Sequence, residues 1–509
     1  MHTLNKLLQG LDTRFVCGDP DTVIKAVDYD SRKTTEGSLF VCIRGYVTDG
    51  HRFIDKAIAL NAAAILIEDD QDLYTDAELT DKAREKGIAV VSVFDTRLAL
   101  AHVSASFFSH PAESLTMVGI TGTKGKTTTT FMIRDIFEKA KRSTGLIGTV
   151  ANIIAGEEHK ADRTTPESYK LQEMLAEMAE KGQDSCVMEV SSQGLMLNRV
   201  YGCRFDVGAF TNLYHDHIGE HEHSDMDDYL KAKLLIFDQS DVGLINADSA
   251  AADRVIRYAS ARCPVYTYGI DKPCDVSASD LKTCRANNRI GTSFTMKSPW
   301  YNGEIFVAMP GKFNVYNALC AASAAGICGL PFEAVLEALS EVSVPGRLQA
   351  VPCDRGFTVL VDYAHNAASL ENLLSTLREY CTGRLITLFG CGGDRAKSRR
   401  YEMGEVSGRL SDLTVITSDN PRSEDPAAII ADIMTGFSKT AGHSVIEPDR
   451  RTAIEKALSM AEKDDFVIIA GKGHEDYQIF KDRTIHFDDA EISAEILARM
   501  DSQEENADT

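Results

Sequence analysis

Apolar positions in this chain come in short runs that end in polar loops, and amphipathic stretches separate the runs. The pattern is clearest from residue 115 onward. There "LTMVGI" predicts a buried strand, "TGTKGK" a glycine loop and "TTTTFMIRDIFEKA" an amphipathic helix. Further strands are expected at "SCVMEV", "VGAFTNL" and "VGLINAD", with short β-rich pieces over about 264–310. A helix rich in small residues, "NVYNALCAASAAGICGL", leads to "SVPGRLQ". The last third repeats one rhythm in "TVLVDYAHN", "RLITLFGCGGD", "LTVITSDNPR" and "DFVIIAGKGHE". Each is an apolar strand running into a polar loop, with a helical pattern before the next. That rhythm predicts an open parallel sheet with helices on both faces. Ligands of such sheets bind outside the carboxyl ends of the strands, so the four loops should share one edge. The first part, with "YDSRKTTEGSLFVCIRGYVTDGHRF" and then "FIDKAIALNAAAILIED", also alternates helix and strand.

At 509 residues the chain is too long for one core. We divide it into residues 1–110, 111–345 and 346–509, with Pro345-Gly346 as the second boundary. The fold class is α/β: a small N-terminal α/β domain, a central parallel sheet of the mononucleotide-binding type, and a doubly wound C-terminal domain. A net charge of −22 disfavours nonspecific nucleic-acid binding. Twelve cysteines without a CxxC pair fit neither a disulfide framework nor a zinc site, and suit the reducing cytoplasm. The N-terminus lacks the pattern of a signal peptide. No apolar run approaches the roughly 20 residues of a membrane helix, so membrane insertion is not expected. The tail "DSQEENADT" reads as frayed.

The strongest chemical signal is the loop Gly122, Thr123, Lys124, Gly125, Lys126, Thr127 and Thr128. Backbone N–H groups of such a loop, at a helix N-terminus, cradle phosphates. Lys126 would reach the outer phosphates and the Thr127 hydroxyl would ligate Mg²⁺. The spacing departs from the standard GxxxxGK[ST], since Ile120 stands five before Gly125. Glu189 and His217, at strand ends, are candidate Mg²⁺ ligands beside a phosphate loop. Alone, each reads as a surface charge and a structural histidine. The cluster "HDHIGEHEH" leaves a zinc site conceivable, although its spacing matches no standard pattern. In "DYLKAKLLIF" a helix puts Leu230, Lys233, Leu234 and Phe237 on one side. Such a lysine either snorkels to water or is a desolvated amine of lowered pKa. A neutral amine can add CO₂ to become a carbamate.

Taken together, the motifs "DSR", "TGTKGKT", "TTPE", "EVSS", "AKLLIF", "NVYNALCA", "VPGR", "DYAHN", "GCGGDR", "DNPR" and "GKGHE" resemble the Mur ligases. These are the ATP-dependent amide-forming enzymes of peptidoglycan synthesis. The resemblance spans nearly the whole chain and is strongest to the MurE type, which adds the third residue of the stem peptide. It implies ATP as co-substrate, Mg²⁺ as cofactor, and a monomer. It implies that Lys233 is carbamylated and, with Glu189, His217 and Thr127, belongs to the metal site. Ser31 would lie near the uridine nucleotide of UDP-MurNAc-L-Ala-D-Glu, while Thr164, Thr165, Ser191 and Arg199 would grip its peptide. Asn317, Arg347 and Asp362 would surround the adenine and ribose. Catalysis would rest on Lys126, Lys233 and His217.

The implied reaction makes an acyl phosphate from the terminal carboxylate, which the amine of the incoming amino acid then attacks. Domain closure would exclude water. Meso-diaminopimelate differs from L-lysine by a carboxylate on its far carbon, and a planar bidentate donor suits that group. Diaminopimelate-adding members carry DNPR, here Asp419, Asn420, Pro421 and Arg422; lysine-adding members commonly lack the arginine. Arg395, Gly471 and Glu475 are the further contacts the resemblance implies. The chain departs from the usual pattern at Asn366, Ala396 and Gln193, and its "DHIGEHEHSDM" loop is about two residues longer. These departures leave open the same reaction with L-lysine or another amino acid, or a divergent Mur-like paralogue. A folate-polyglutamylating ligase fits the "DSR" block poorly, and a non-catalytic scaffold fits the intact Lys126, Thr127, Glu189, His217 and Lys233 poorly.

Overall fold

The computed structural model describes residues 2–45, 48–69, 77–219, 222–286 and 289–507. The chain forms two compact units. Unit 1 comprises Met1–Ser277, Lys297–Asn302 and Tyr316–Val335; unit 2 comprises Ala278–Met296, Gly303–Val315 and Leu336–Thr509.

Unit 1 contains a five-stranded sheet in the order Thr13–Cys17, Ala89–Val93, Ala64–Glu68, Ser38–Val41, Ala26–Asp28. Only the Thr13–Cys17 edge is antiparallel to its neighbour. Its inner strands are apolar at successive positions because both faces are covered. Leu39, Val41, Leu66 and Val91 enter one core. Phe40, Ile65, Ile67 and Val90 enter the other.

The larger sheet of unit 1 has a parallel centre. The strands run in the order Thr144–Ile147, Ser185–Glu189, Thr116–Thr121, Phe205–Phe210, Ser240–Asn246, Val265–Gly269. The chain leaves Thr116–Thr121 toward one side and later returns to its other side. This puts a topological switch point at its carboxyl end, where such sheets bind ligands. Glu189 ends one neighbouring strand, and Thr211 directly follows the other.

Unit 2 holds a six-stranded sheet in the order Gln349–Val351, Thr358–Asp362, Phe466–Ala470, Leu385–Phe389, Leu413–Ile416, Ser444–Ile446. All but the Gln349–Val351 edge are parallel. The four expected strand-end loops therefore do share one edge. One face packs the helices Arg450–Ser459 and Asp489–Ala507 through Ile454, Leu458, Ile492 and Ile496. The other receives the helix Lys397–Leu410, where Ser407 meets Thr414 at 2.7 Å. The last helix runs to Ala507, into the tail expected to fray, whose residues 508 and 509 lie outside the described residues. Nothing in "SQEEN" breaks it, since no glycine or proline intervenes. Asn366 caps the helix Ala367–Arg378 by accepting from Ser369 N at 2.9 Å. Ala396 begins its helix without a side-chain cap.

A buried ion pair braces this sheet. Arg450 and Asp489 are both inaccessible to solvent, and their Nη2 and Oδ2 lie 2.6 Å apart. The guanidinium also donates to Ser418 O and Ala470 O, each at 3.1 Å, so it ties two strand ends together. Asp489→Ala would strand the guanidinium beside carbonyls alone. We expect a loss of about 3–5 kcal/mol, read as a lower urea midpoint for unit 2. Replacing both partners with apolar residues should cost far less.

Candidate active site

In unit 1 the strand Thr116–Thr121 feeds the glycine loop, which opens the helix Lys126–Lys139. Gly125 sits at φ +87°, and a Cβ there would meet Asn317 Oδ1 at 2.5 Å. A Cβ on Gly122 would meet Thr211 Oγ1 at 2.0 Å. Both positions therefore require glycine. The loop is pinned from the next strand end: Lys124 N donates to Asn212 Oδ1 at 2.9 Å, and Asn212 Nδ2 to Lys124 O at 3.0 Å. Tyr214 N donates to Thr123 Oγ1 at 3.0 Å. Lys126 Nζ lies across the loop, on Gly122 O at 2.9 Å and Thr123 O at 3.2 Å. Thr128 is buried in the first turn. Asn317 supports the same helix, accepting from Thr129 Oγ1 at 3.3 Å.

Glu189 is buried, and Thr127 Oγ1 donates to it at 3.0 Å. Thr149 N and Oγ1 donate to the same carboxylate at 2.8 and 3.2 Å. Thr164 Oγ1 is 2.9 Å from Thr149 Oγ1. Thr165 Oγ1 donates to Glu189 O and to Ser191 Oγ. Arg199 Nη1 donates to Thr165 O at 3.3 Å, and its Nε lies 3.4 Å from Glu167. The four peptide-gripping candidates are thus neighbours of Glu189. Arg97, Arg163, Arg199 and Glu167 line a cavity of about 350 Å³ with Tyr29, two residues before the buried Ser31.

Lys233 does not snorkel. The helix Met226–Leu234 buries Tyr229 and Lys233 together, and Lys233 is 1 % exposed. Its Nζ donates to Gly122 O at 2.9 Å and stands 4.4 Å from the centre of the Tyr229 ring. Burial first, and the charge of Lys126 second, push its pKa well below the usual lysine value. Tyr229 was not legible as a site residue; its hydroxyl reaches Thr123 Oγ1 at 3.3 Å.

His217 stands apart from this group. It is half exposed, has φ +57°, and pairs through Nδ1 with Glu222 at 3.0 Å. Among the described residues, no hydrogen bond or ion pair joins it to Thr127, Glu189 or Lys233. Its ring lies 5.7 Å from that of Tyr229. Of the histidine-rich stretch, Glu220 and His221 lie outside the described residues. Among the described residues no three His, Cys, Asp or Glu side chains converge as a metal cluster.

In unit 2 the carboxyl-edge loops interlock. Asn420 Nδ2 donates to Glu475 Oε2 at 2.7 Å, and Asn420 Oδ1 accepts from Ile479 N at 2.9 Å. A Cβ on Gly471 would stand 2.9 Å from Asp419 Oδ2. Burial raises the Glu475 carboxyl above its usual range. The wholly buried Lys472 lies 3.4 Å away. Pro421 O approaches Gly393 so closely that a Cβ there would sit 1.9 Å from it. Arg422 adopts φ +53°, and its N donates to Ile479 O at 3.0 Å. Its Nη1 donates to Gly393 O at 2.7 Å, and it forms no ion pair among the described residues. Arg395 is exposed in the same loop, on Asp394 O at 3.4 Å. At the neighbouring strand end, Asp362 accepts from Leu348 N at 2.8 Å, and the Arg347 guanidinium covers the Tyr363 ring at 4.6 Å.

Three family models match the chain. They are the Mur ligase family catalytic domain over residues 23–108, the Mur ligase middle domain over 120–325, and the Mur ligase glutamate ligase domain over 346–473. A curated relative from Clostridium botulinum, a UDP-N-acetylmuramoyl-L-alanyl-D-glutamate--2,6-diaminopimelate ligase, is 42% identical over 500 residues, covering 98% of this chain and 100% of the relative. A relative of the same name from Clostridioides difficile is 41% identical over 500 residues, again covering 98% and 100%. A solved structure bearing this ligase name superposes with a TM-score of 0.72 at 27% identity, covering 98% of this chain and 99% of that one. A Thermotoga maritima MurF ligase in complex with ADP shares the fold, with a TM-score of 0.58 at 17% identity over 94% and 97% of the two chains. With matches over nearly its full length, this chain belongs to the Mur ligase family.

Proposed function

We propose that the chain is an ADP-forming ligase that joins meso-diaminopimelate to UDP-N-acetylmuramoyl-L-alanyl-D-glutamate. The observation that carries the choice of amino acid is Arg422, half-buried and without an ion pair among the described residues, in the loop of Asn420, whose amide holds Glu475. A fork of N–H donors suits the distal carboxylate, and the desolvated Glu475 suits the adjoining ammonium. The names of the full-length relatives support the same substrates.

The phosphate loop would hold ATP, with Lys126 released from its carbonyls to neutralise charge on the transferring γ-phosphoryl. The terminal carboxylate of the D-glutamyl substrate attacks that phosphorus, and ADP leaves. The amine of the amino acid then attacks the acyl carbon, and phosphate departs from the tetrahedral intermediate. Thr165, Ser191 and Arg199 would orient the peptide whose carboxylate reacts. The buried Glu189 with Thr127 is an oxygen-rich pair of the kind Mg²⁺ prefers, and the ion would add neutralising charge there. Lys233 fits a carbamate, since its amine is desolvated and faces Lys126. His217 would offer Nε2 to the metal, with its Nδ1 held on Glu222. Arg347, Asp362 and Asn317 are read as the nucleoside contacts and Ser31 as a uridine contact. A division into domains at about 110 and 345 is supported by the separate ranges of the three family matches. The reaction belongs in the cytoplasm, with the protein a monomer; among the described residues no helix is long and apolar enough to cross a membrane.

The test is phosphate release with UDP-MurNAc-L-Ala-D-Glu, ATP, Mg²⁺ and a panel of amino acids. Meso-diaminopimelate should give by far the highest kcat/KM. Turnover with L-lysine in its place would overturn the specificity and leave the ligase reading standing. No turnover with any amino acid would favour a divergent paralogue.

A further inference from the structure

Arg422 is held by a device that lies outside the amino-acid contacts. Its backbone is in the left-handed region, at φ +53°, a conformation that costs energy for a side chain with a Cβ. Asp394, in the facing loop, is also left-handed at φ +56°. Two unfavourable conformers facing each other persist only if their surroundings over-determine them. The surroundings converge on Glu424. Its Oε1 accepts from Asp394 N at 2.6 Å and from Arg400 Nη2 at 2.6 Å, and its Oε2 accepts from Arg400 Nη1 at 2.9 Å. Glu424 N donates to Pro421 O at 3.0 Å, so the same residue fixes both its own turn and the facing loop.

Arg400 is the other half. It is 1 % exposed, and its Nη1 also donates to Asp432 Oδ2 at 2.9 Å. Its Nη2 reaches Gly392 O at 3.4 Å. It thus joins a helix, the loop Gly392–Asp394 and the turn after Arg422. The hydrogen bond from Arg400 drives the Glu424 carboxyl down to about 2, so the pair stays charged at any working pH. Gly392 completes the contact: a Cβ there would meet Arg422 Nη1 at 2.7 Å.

We propose that Glu424 and Arg400 are positioning residues for the amino-acid substrate, acting by holding the Gly392–Asp394 loop against which the Arg422 guanidinium is aimed. The inference rests on the reading of Arg422 as the distal-carboxylate contact. Neither residue touches the substrate. A fork displaced by about 1 Å loses its bidentate geometry, and such misplacement costs up to about a hundredfold.

The experiment uses the full-length protein and measures kcat and each KM for Glu424→Gln, Arg400→Lys and Arg422→Ala. Glu424→Gln keeps the shape and loses the charge; Arg400→Lys keeps the charge and loses the fork. Each should raise the KM for meso-diaminopimelate about tenfold to a hundredfold. The kcat and the KM values for ATP and UDP-MurNAc-L-Ala-D-Glu should stay within about twofold of the parent, a split that general destabilisation would not produce. If one variant fails to fold, as judged by its thermal transition, the other decides. An unchanged KM in the folded variants, with Arg422→Ala strongly impaired, overturns the positioning role and leaves Arg422 as the contact. An unchanged KM in Arg422→Ala overturns both.

Discussion

Lys233→Ala is expected to lower kcat about a thousandfold, the several kcal/mol that charge stabilisation at a phosphoryl group contributes. The amine is 1 % exposed and has one carbonyl, Gly122 O, as its hydrogen-bond acceptor. A protonated lysine would be poorly hydrated there and would face Lys126 as a like charge. The neutral amine can attack CO₂: an N–C bond forms, a proton is lost, and the product is an anion with two oxygens. That anion would be attracted to Lys126 and could bind a cation. Lys233→Arg separates the two roles, because a guanidinium keeps the positive charge and does not add CO₂ under these conditions. It should be as inactive as the alanine variant. With ¹³C-bicarbonate, the parent protein should show a carbamate carbonyl resonance that both variants lack. Retained activity in Lys233→Arg would sink the carbamate reading, whatever the spectrum showed.

The strand-end loops were legible because an apolar run of strand length that ends in polar residues has one reading in a doubly wound sheet. The glycine loop before the helix was legible too, with glycine at two positions where a Cβ would strike Thr211 or Asn317. The fate of Lys233 was only half legible. Its place on an apolar stripe was evident, but a stripe does not say whether the amine reaches water. Tyr229, packed under it, decided that. What the sequence hid were partnerships between elements far apart in the chain. Glu424 and Arg400 are 24 positions apart, and Arg450 and Asp489 are 39 apart, each looking like an ordinary surface charge on its own helix or turn. Only the fold brings them together, and neither pair has a spacing signature. For His217 the motif did not show the left-handed backbone or the Nδ1 contact with Glu222.

The second large effect belongs to Arg422. Arg422→Ala should raise the KM for meso-diaminopimelate about a hundredfold, because about 3 kcal/mol is lost when one member of a buried, hydrogen-bonded charge pair is truncated. The distal carboxylate lies far from the reacting amine, so its interaction is the same in ground and transition states and kcat should change little. Arg422→Lys tests geometry separately from charge. An ammonium can neutralise the carboxylate but cannot span both oxygens, so an intermediate rise of about tenfold is expected. L-Lysine has no distal carboxylate, and its low kcat/KM should be nearly the same in the parent and in Arg422→Ala. The guanidinium already donates to Gly393 O, so its orientation exists before the amino acid arrives and little rotamer entropy remains to be lost on binding. A parallel fall in kcat/KM for both amino acids would show that Arg422 shapes the loop and does not read the carboxylate. The choice of substrate would then have to lie with other residues of these loops, such as Asn420 and Glu475.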